Sequence, residues 1–420
     1  MTADSGRVSS PAWMCTTPAE GGREETKGIE MYQKDAVIVG YAETKIVDKS
    51  DRDIWELSAE ILEKVIIQTG IEKDEIDGLV LSSSMTAAGS VFWSQTNADM
   101  LGLDLKFTQT VDIGGCAPLG SVARAVMAIN AGLCTNVLCL FSDTQATEDN
   151  RRVRAFQQEW TNSLGYMGPP AAFGFITRRY EHQFGLDYAA LGKLAVAQRN
   201  HAILNDMAVE KLRKPITVDD YLNSRMIADP IRLLDCVMVC DGASGVLVTS
   251  RKNAERKGFS KIAVPIGYGE RTNFRANESI IDITDTGHRA AGEVALAQAG
   301  IKLSDFGSFH PYDDFIIAIV MQLEMLGFCK PGQGCDFVRE RSFSFDGDLP
   351  LNTGGGQISA GQCGLAGGGT NLVEAVRQMF GEAGSRQVSD TKTALVTGIG
   401  GIPYGRNWAT SAVMALTANG

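Results

Sequence analysis

Two stretches of this chain carry the same punctuation. Gly70-Ile-Glu-Lys-Asp-Glu-Ile-Asp-Gly78 and Gly300-Ile-Lys-Leu-Ser-Asp-Phe-Gly-Ser308 each close a segment of helical periodicity and lead into an apolar, strand-like run. Further on, Gly114-Gly-Cys-Ala-Pro-Leu-Gly120 precedes a helical pattern over 118–132 and the strand-like Val137-Leu-Cys-Leu-Phe141. Its counterpart, Gly361-Gln-Cys-Gly-Leu-Ala-Gly367, precedes a helical pattern over Leu372–Phe380 and the strand-like Ala394-Leu-Val-Thr-Gly398. The same elements twice in the same order, with a cysteine ahead of a helix each time, predict a duplicated α/β unit. Duplication is restrictive, because the fold that suits one half must suit the other.

The first half opens on Asp35-Ala-Val-Ile-Val-Gly-Tyr41, a β-branched apolar run that reads as a buried strand. Ile54, Leu57, Ile61, Leu62 and Val65 then recur at helical spacing over Asp53–Thr69, and Gly70 closes that helix as a left-handed cap. Asp241-Gly-Ala-Ser-Gly-Val-Leu-Val-Thr-Ser250 returns to strand. Residues 145–235 differ in character, with Arg and Gln clusters, Pro169-Pro170 and a helix over Tyr188–Ile203, and read as an insertion laid over the core. Residues 1–30 are rich in Ser, Thr, Gly, Glu and Pro and predict a disordered extension, with Met31 as an alternative start. The expected division is thus an extension over 1–32, a first half over 33–255 that contains the insertion, and a second half over 256–420.

A net charge of −11 argues against a nucleic-acid surface, which needs a basic face. No apolar run approaches the roughly 20 residues of a membrane span, so no membrane partner is expected. Nine cysteines are scattered without paired or metal-ligand spacing, which predicts reduced, packed thiols and no metal site of the chain's own. Residues 1–30 have no apolar segment of a secretory signal, and the expected compartment is the cytoplasm.

Cys116 is the first candidate for chemistry. It stands between a strand-like Thr110-Val-Asp-Ile113, two glycines and a helix. A thiol at a helix N-terminus feels the positive end of the dipole, which favours the nucleophilic thiolate.

Taken in order, Gly-Gly-Cys116-Ala, Pro230-Ile-Arg-Leu-Leu-Asp235, Asp241-Gly-Ala, Tyr312-Asp-Asp-Phe315, Asn352-Thr-Gly-Gly-Gly356 and Gly398-Ile-Gly-Gly401 resemble the thiolase superfamily, in its sterol-carrier-type and bacterial thiolase-like branch. The resemblance runs from about residue 33 to the C-terminus. It implies an α/β class, a duplicated thiolase fold of five layers, α-β-α-β-α, with a loop domain between the halves over a coenzyme A site. It also implies a homodimer formed along an edge of the first half.

The departures from the family pattern direct the functional reading. Thiolases carry His-Asp-Ala-Phe or Asn-Glu-Ala-Phe where this chain has Tyr312-Asp-Asp-Phe315, and His310 shares a strand face with Tyr312 two residues on. The family's Gly-His-Pro is here Gly361-Gln362-Cys363, and its C-terminal Cys-x-Gly is Gly398-Ile399-Gly400. Three readings follow. In the first, a divergent thiolase, Cys116 carries the acyl group, Cys363 or His310 moves the α-proton, and Gln362 with a backbone amide near Gly400 holds the oxyanions. In the second, a thiolase-like retro-aldolase cleaves a β-hydroxyacyl-CoA through tyrosine acid/base groups. Tyr312-Asp313 is one mark of that group, but its second tyrosine would fall near Ala360, where this chain has none. In the third, the chain is a non-catalytic or acyl-transferring subunit. The first leads.

Arg178 and Arg179 are candidates for the coenzyme A phosphates. Coenzyme A enters as a substrate, and no covalently bound cofactor is expected. The Gln-for-His change resembles members that work with a small zinc-ribbon/OB-fold subunit, to which any zinc would belong. Within that group the resemblance is to the large subunit of benzoylsuccinyl-CoA thiolases of anaerobic toluene breakdown, and to acetyltransferase subunits that acylate phloroglucinols.

Overall fold

The computed structural model describes residues 35–87, 90–148, 158–166, 168–278, 282–403 and 406–418. The extension expected over 1–32 lies outside them. Nine strands form one sheet: β1 (Ala36–Glu43), β2 (Gly78–Ser82), β3 (Phe107–Val111), β4 (Asn136–Asp143), β5 (Gly242–Ser250), β6 (Ala263–Thr272), β7 (Ser308–His310), β8 (Thr393–Ile399) and β9 (Thr410–Ala418). Their order is β3-β2-β4-β5-β1-β6-β9-β8-β7. The first half therefore reads 3-2-4-5-1. The second reads 1-5-4-2, its mirror across the β1–β6 junction, where Ile38 pairs with Ala263. The missing third strand is present in vestige, because Leu351 bridges Phe309 in parallel. In both halves the fifth strand runs antiparallel to its two neighbours.

The longer helices are α1 (Ile54–Thr69), α2 (Ala117–Asn130), α3 (Gly168–Phe184), α4 (Tyr188–Ile203), α5 (His288–Ala299), α6 (Ile316–Leu326) and α7 (Gly368–Met379), with shorter helices and turns between them. Asp53 caps α1 through a capping box with Glu56, and Gly70 ends it at φ 64°. Gly300 ends α5 in the same conformation at φ 66°. Each glycine is followed by a single tight turn and then the second strand of its half, as the repeated punctuation predicts.

Strand alternation sorts the core into layers. Ile38, Val80, Val137, Cys139, Val246, Val248, Val396 and Met414 face one way and pack with the apolar stripes of α2 and α7. Val37, Val39, Leu79, Leu138, Leu140 and Leu247 face the other way, toward α1. Helices α2 and α7 touch each other and strands of both halves, while α5 covers the second half with α6 against it. The result is the expected five-layer arrangement, and the turns that precede the two central helices touch each other.

One detail of the repeat is corrected. The turn Gly114–Cys116 before α2 has its counterpart in Gly364–Ala366 before α7, each starting on a glycine of positive φ, 59° and 49°. The partner of Cys116 is thus Ala366, not Cys363. The cause is a long-range pairing: Gln362 is still bridged in parallel to Val239, so the chain stays extended until Gly364.

Residues 144–241 join β4 to β5, where 400–409 make the corresponding connection in the second half. This long connection contains α3 and α4, with α4 lying against α6 and the helical turn Gly356–Ala360. Among the described residues no helix is long and apolar enough to cross a membrane.

Candidate active site

Strand β7 ends at His310, and the chain carries Tyr312 into the space between the two halves. Its N–H donates to Thr397 Oγ1 at 2.9 Å, and its carbonyl accepts from Gln322 Nε2 at 2.7 Å. The phenol end of the ring packs on Gly115, where a Cβ would collide with both the ring and the phenol oxygen. Gly368 closes the same seat: a Cβ there would stand 2.4 Å from Gly115 O and 3.4 Å from Tyr312 Cε2. A tyrosine here thus requires glycine beside the thiolase-like cysteine.

Gln362 is anchored through its backbone. Its N–H donates to Met238 O at 2.9 Å, and its carbonyl accepts from Cys240 N–H at 2.8 Å. Its Nε2 donates to Tyr312 Oη at 3.4 Å and to Gln357 Oε1 at 3.2 Å. With the amide occupying a lone pair of the phenol oxygen, the phenol hydrogen is left to point elsewhere.

Tyr312 and Gln362 share the wall of a cavity of about 340 Å³ with Gly114, Gly115, Asp314 and the segment Ile399–Ile402. Pro169 and Pro170, at the start of α3, stand on its rim with Val237 and Val239. An apolar cavity with a few convergent polar groups is the usual form of a small-molecule site. Burial, reinforced by the charge of Asp314, holds the Tyr312 phenol well above its ordinary pKa, so it keeps its proton. Burial, with the charge of Asp313 behind it, pushes the Asp314 carboxyl up to about 8. The two aspartates differ sharply. Asp313 is fully buried and accepts from Gln357 N–H, Ile358 N–H and Asn371 Nδ2, so it is structural. Asp314 lines the cavity, and its Oδ1 has no hydrogen-bond partner.

The other candidate residues are placed differently. Cys116 caps α2 and lies under the cavity floor, fully buried, and its thiol donates to Thr410 O at 3.4 Å. Burial and the charge of Glu270 raise its pKa well above the ordinary thiol value, opposite to the shift expected from the helix end. Cys363 points away from the cavity although Gln362 and Gly364 line it. Its Sγ sits over Gly242 and borders a separate void of about 10 Å³, too small for a substrate. His310 is buried at the end of β7, with Nε2 3.1 Å from Ser308 Oγ, and burial lowers its pKa to about 4. The shared strand face expected for His310 and Tyr312 is lost because β7 ends between them. Gly400 lines the cavity, but its N–H is committed to Thr410 O at 2.7 Å. Arg178 is exposed and paired with Glu181 and Asp229, Arg179 is exposed, and neither lines the cavity.

Asp314 is the residue that sequence reasoning passed over. The signal was present, because Tyr312-Asp-Asp-Phe315 has an aspartate where the family pattern has alanine.

Residues 269–412 match the thiolase C-terminal domain-like family model. The chain is 30% identical over 386 residues to the steroid side-chain-cleaving aldolase of Thermomonospora curvata, covering 88% of this chain and 96% of that one. It is also 30% identical over 393 residues to the 17-hydroxy-3-oxo-4-pregnene-20-carboxyl-CoA lyase of Mycobacterium tuberculosis, covering 89% and 98%. The benzoylsuccinyl-CoA thiolase subunit of Thauera aromatica matches a shorter stretch, 28% over 231 residues, or 54% of this chain and 59% of that one. Among solved structures, the Ltp2-ChsH2(DUF35) aldolase superposes with a TM-score of 0.80 at 29% identity, covering 92% of this chain and 99% of that one. Repeat, strand order and relatives agree: this chain is a divergent, thiolase-like member of the thiolase superfamily of enzymes.

Proposed function

We propose that this protein is a thiolase-like retro-aldolase, which breaks the Cα–Cβ bond of a β-hydroxyacyl-CoA to release a carbonyl compound and a shortened acyl-CoA. The observation that carries this reading is that Tyr312 faces the cavity while Cys116 is sealed beneath it. A cysteine acyl-enzyme needs an accessible thiolate, and burial disfavours that form here. The relatives support the same choice. Two proteins similar over most of their length are an aldolase and a CoA-ester lyase, and the latter's name places a hydroxyl one carbon beyond the α-carbon of the CoA ester. The benzoylsuccinyl-CoA form of the thiolytic reading rests on a shorter match, and the relatives of similar length that are acetyl-CoA acetyltransferases are less similar, 26% and 25% identical.

In this reading the thioester oxygen approaches Tyr312. As Cα–Cβ breaks, its electron pair enters the enolate, and the protonated phenol donates a hydrogen bond to the oxygen where charge develops. Gln362 holds the phenol from behind. The apolar rim under Pro169 and Pro170 keeps water from the enolate. The solved aldolase whose name joins Ltp2 with ChsH2(DUF35) supports a small partner subunit for this chain as well, in the place of the expected zinc-ribbon/OB-fold protein.

The test is the need for free coenzyme A. Purified full-length protein, alone and with any co-purifying small subunit, is given β-hydroxyacyl-CoA and β-ketoacyl-CoA esters, and products are followed by mass spectrometry. A retro-aldolase yields a carbonyl compound and one acyl-CoA without added coenzyme A. Cleavage of only the β-ketoacyl esters, and only with free coenzyme A, would overturn the reading.

A further inference from the structure

A retro-aldol cleavage needs a group to take the proton of the β-hydroxyl and a group to return one to Cα. Tyr312 suits neither task well, because its surroundings hold its proton on. Among the described residues that line the cavity, Asp314 has the other ionisable carboxyl or phenol side chain. It follows Tyr312 by two positions at the N-terminal end of α6, where Phe315 is the cap. Its Oδ1 is buried yet satisfied by nothing in the protein, which is costly for a carboxyl unless a ligand completes it.

We propose that Asp314 is the general base and then the general acid of this site, working with Tyr312 as the hydrogen-bond donor. This rests on the retro-aldolase reading above. The Asp314 carboxylate takes the β-hydroxyl proton; the oxygen's electrons form the carbonyl; Cα–Cβ breaks, and its pair becomes the enolate held by Tyr312. The carboxylic acid then returns the proton to Cα, so one proton moves from oxygen to carbon and Asp314 ends as it began. The neighbours that set its protonation are the Asp313 carboxylate, which raises it, and the backbone N–H groups of Asp314 and Phe315, which lower it; Tyr312 and Cys236 face it as neutral groups. A carboxyl titrating near 8 is a much stronger base than an ordinary carboxylate and gives up its proton near neutral pH.

The α-proton step can be read apart from cleavage. Full-length protein is incubated with acetyl-CoA or propionyl-CoA in D2O, and deuterium at Cα is measured by mass spectrometry for wild type, Asp314→Asn and Asp314→Glu, beside cleavage of the β-hydroxyacyl-CoA esters. Wild type is expected to exchange. Asp314→Asn, nearly the same in shape, should lose about 100-fold or more in both exchange and cleavage with little change in KM, and Asp314→Glu should recover part of the loss. If wild type cleaves while Asp314→Asn exchanges and cleaves within threefold of it, the role of Asp314 is refuted and the retro-aldolase reading stands. The role of Asp314 is refuted in the same way if wild type cleaves but exchanges nothing. If wild type exchanges and Asp314→Asn does not, yet no β-hydroxyacyl-CoA is cleaved, the retro-aldolase reading fails and Asp314 remains the α-carbon base. Neither exchange nor cleavage by wild type refutes both.

Discussion

The amide nitrogen of Gln362 lies 3.4 Å from the phenol oxygen of Tyr312, although 50 residues separate them in the chain. The bond fixes the sense of the phenol: oxygen accepts from the amide, and hydrogen is free to be donated. Tyr312→Phe should therefore cost roughly 100–1,000-fold in turnover, the usual loss for one transition-state donor. Gln362→Ala should cost about tenfold, the worth of one positioning hydrogen bond. Gln362→Glu should do more harm than Gln362→Ala, because a carboxylate accepts the phenol hydrogen and turns it from the cavity. Steady-state kinetics checks this order; kcat should fall and KM stay near wild type.

Gly115 is the ring's seat. Its backbone needs no left-handed conformation, so alanine is tolerated by the backbone, and the nearest atoms its Cβ would meet are those of Tyr312. Gly115→Ala is expected to fold, at a cost of about 1–3 kcal/mol for overpacking, and to lose most of its activity as the ring is displaced. The double variant Gly115→Ala/Tyr312→Phe, measured by thermal unfolding and turnover, should be no less active than Tyr312→Phe. A Gly115→Ala enzyme of wild-type activity would show that the ring's position is immaterial.

Cys116 separates the covalent, thiolytic account from the non-covalent one. Buried and bonded to Thr410 O, it should take no acyl group from acyl-CoA, and Cys116→Ala should turn over within about threefold of wild type while losing about 1 kcal/mol of stability from a small cavity. Intact-protein mass spectrometry decides the point. An acyl adduct that disappears in Cys116→Ala would restore the thiolytic mechanism.

The duplication was legible in the sequence because its marks are local. Gly70 and Gly300 are helix caps that only a left-handed residue can make, and alternation over Val37 to Val39 or Leu79 to Leu81 gives the strands. The register of the second half was not, because the bridge of Gln362 to Val239 joins distant segments and delays the turn to Gly364. The site divided along the same line. Tyr312 and Gln362 are identifiable from their place in a motif. The inward turn of Cys116, the outward turn of Cys363, the commitment of the Gly400 N–H and the bare Oδ1 of Asp314 all depend on which side chain meets which cavity, and spacing along a chain carries no such information.

The sheet ends at β3, whose Thr108 and Gln109 are exposed. The helix Trp93–Leu101 that packs on it is preceded by Val91 and Phe92, exposed by 72% and 70%. An open strand beside large apolar side chains invites pairing with a second copy. Light scattering at micromolar concentration should give about twice the 45.1 kDa chain mass. Gln109→Lys, which sets like charges against each other across a two-fold edge, should shift the mass toward one chain. A clean wild-type monomer would remove the claim.

Asp314 also makes a prediction about stability, with a definite sign. Its carboxyl titrates at about 8 in the folded protein, against an ordinary value of 3.8. Between those values the folded state holds a proton that the unfolded state has released, so raising pH through this window favours unfolding. The slope contributed by one such group is at most about 1.4 kcal/mol per pH unit. Below pH 4 both states are protonated, and above pH 8 both are ionised, so the penalty is absent at the first limit and constant past the second. Asparagine fills the same space and never ionises. Asp314→Asn should therefore melt near wild type at pH 4, and its advantage in Tm should grow steadily to pH 8 and then level off. Thermal unfolding of the two proteins across pH 4–9 gives the curve directly. A flat difference would mean that Asp314 keeps an ordinary carboxylate affinity for protons in the folded protein, too weak a base for the β-hydroxyl, and that task would have to pass to another group.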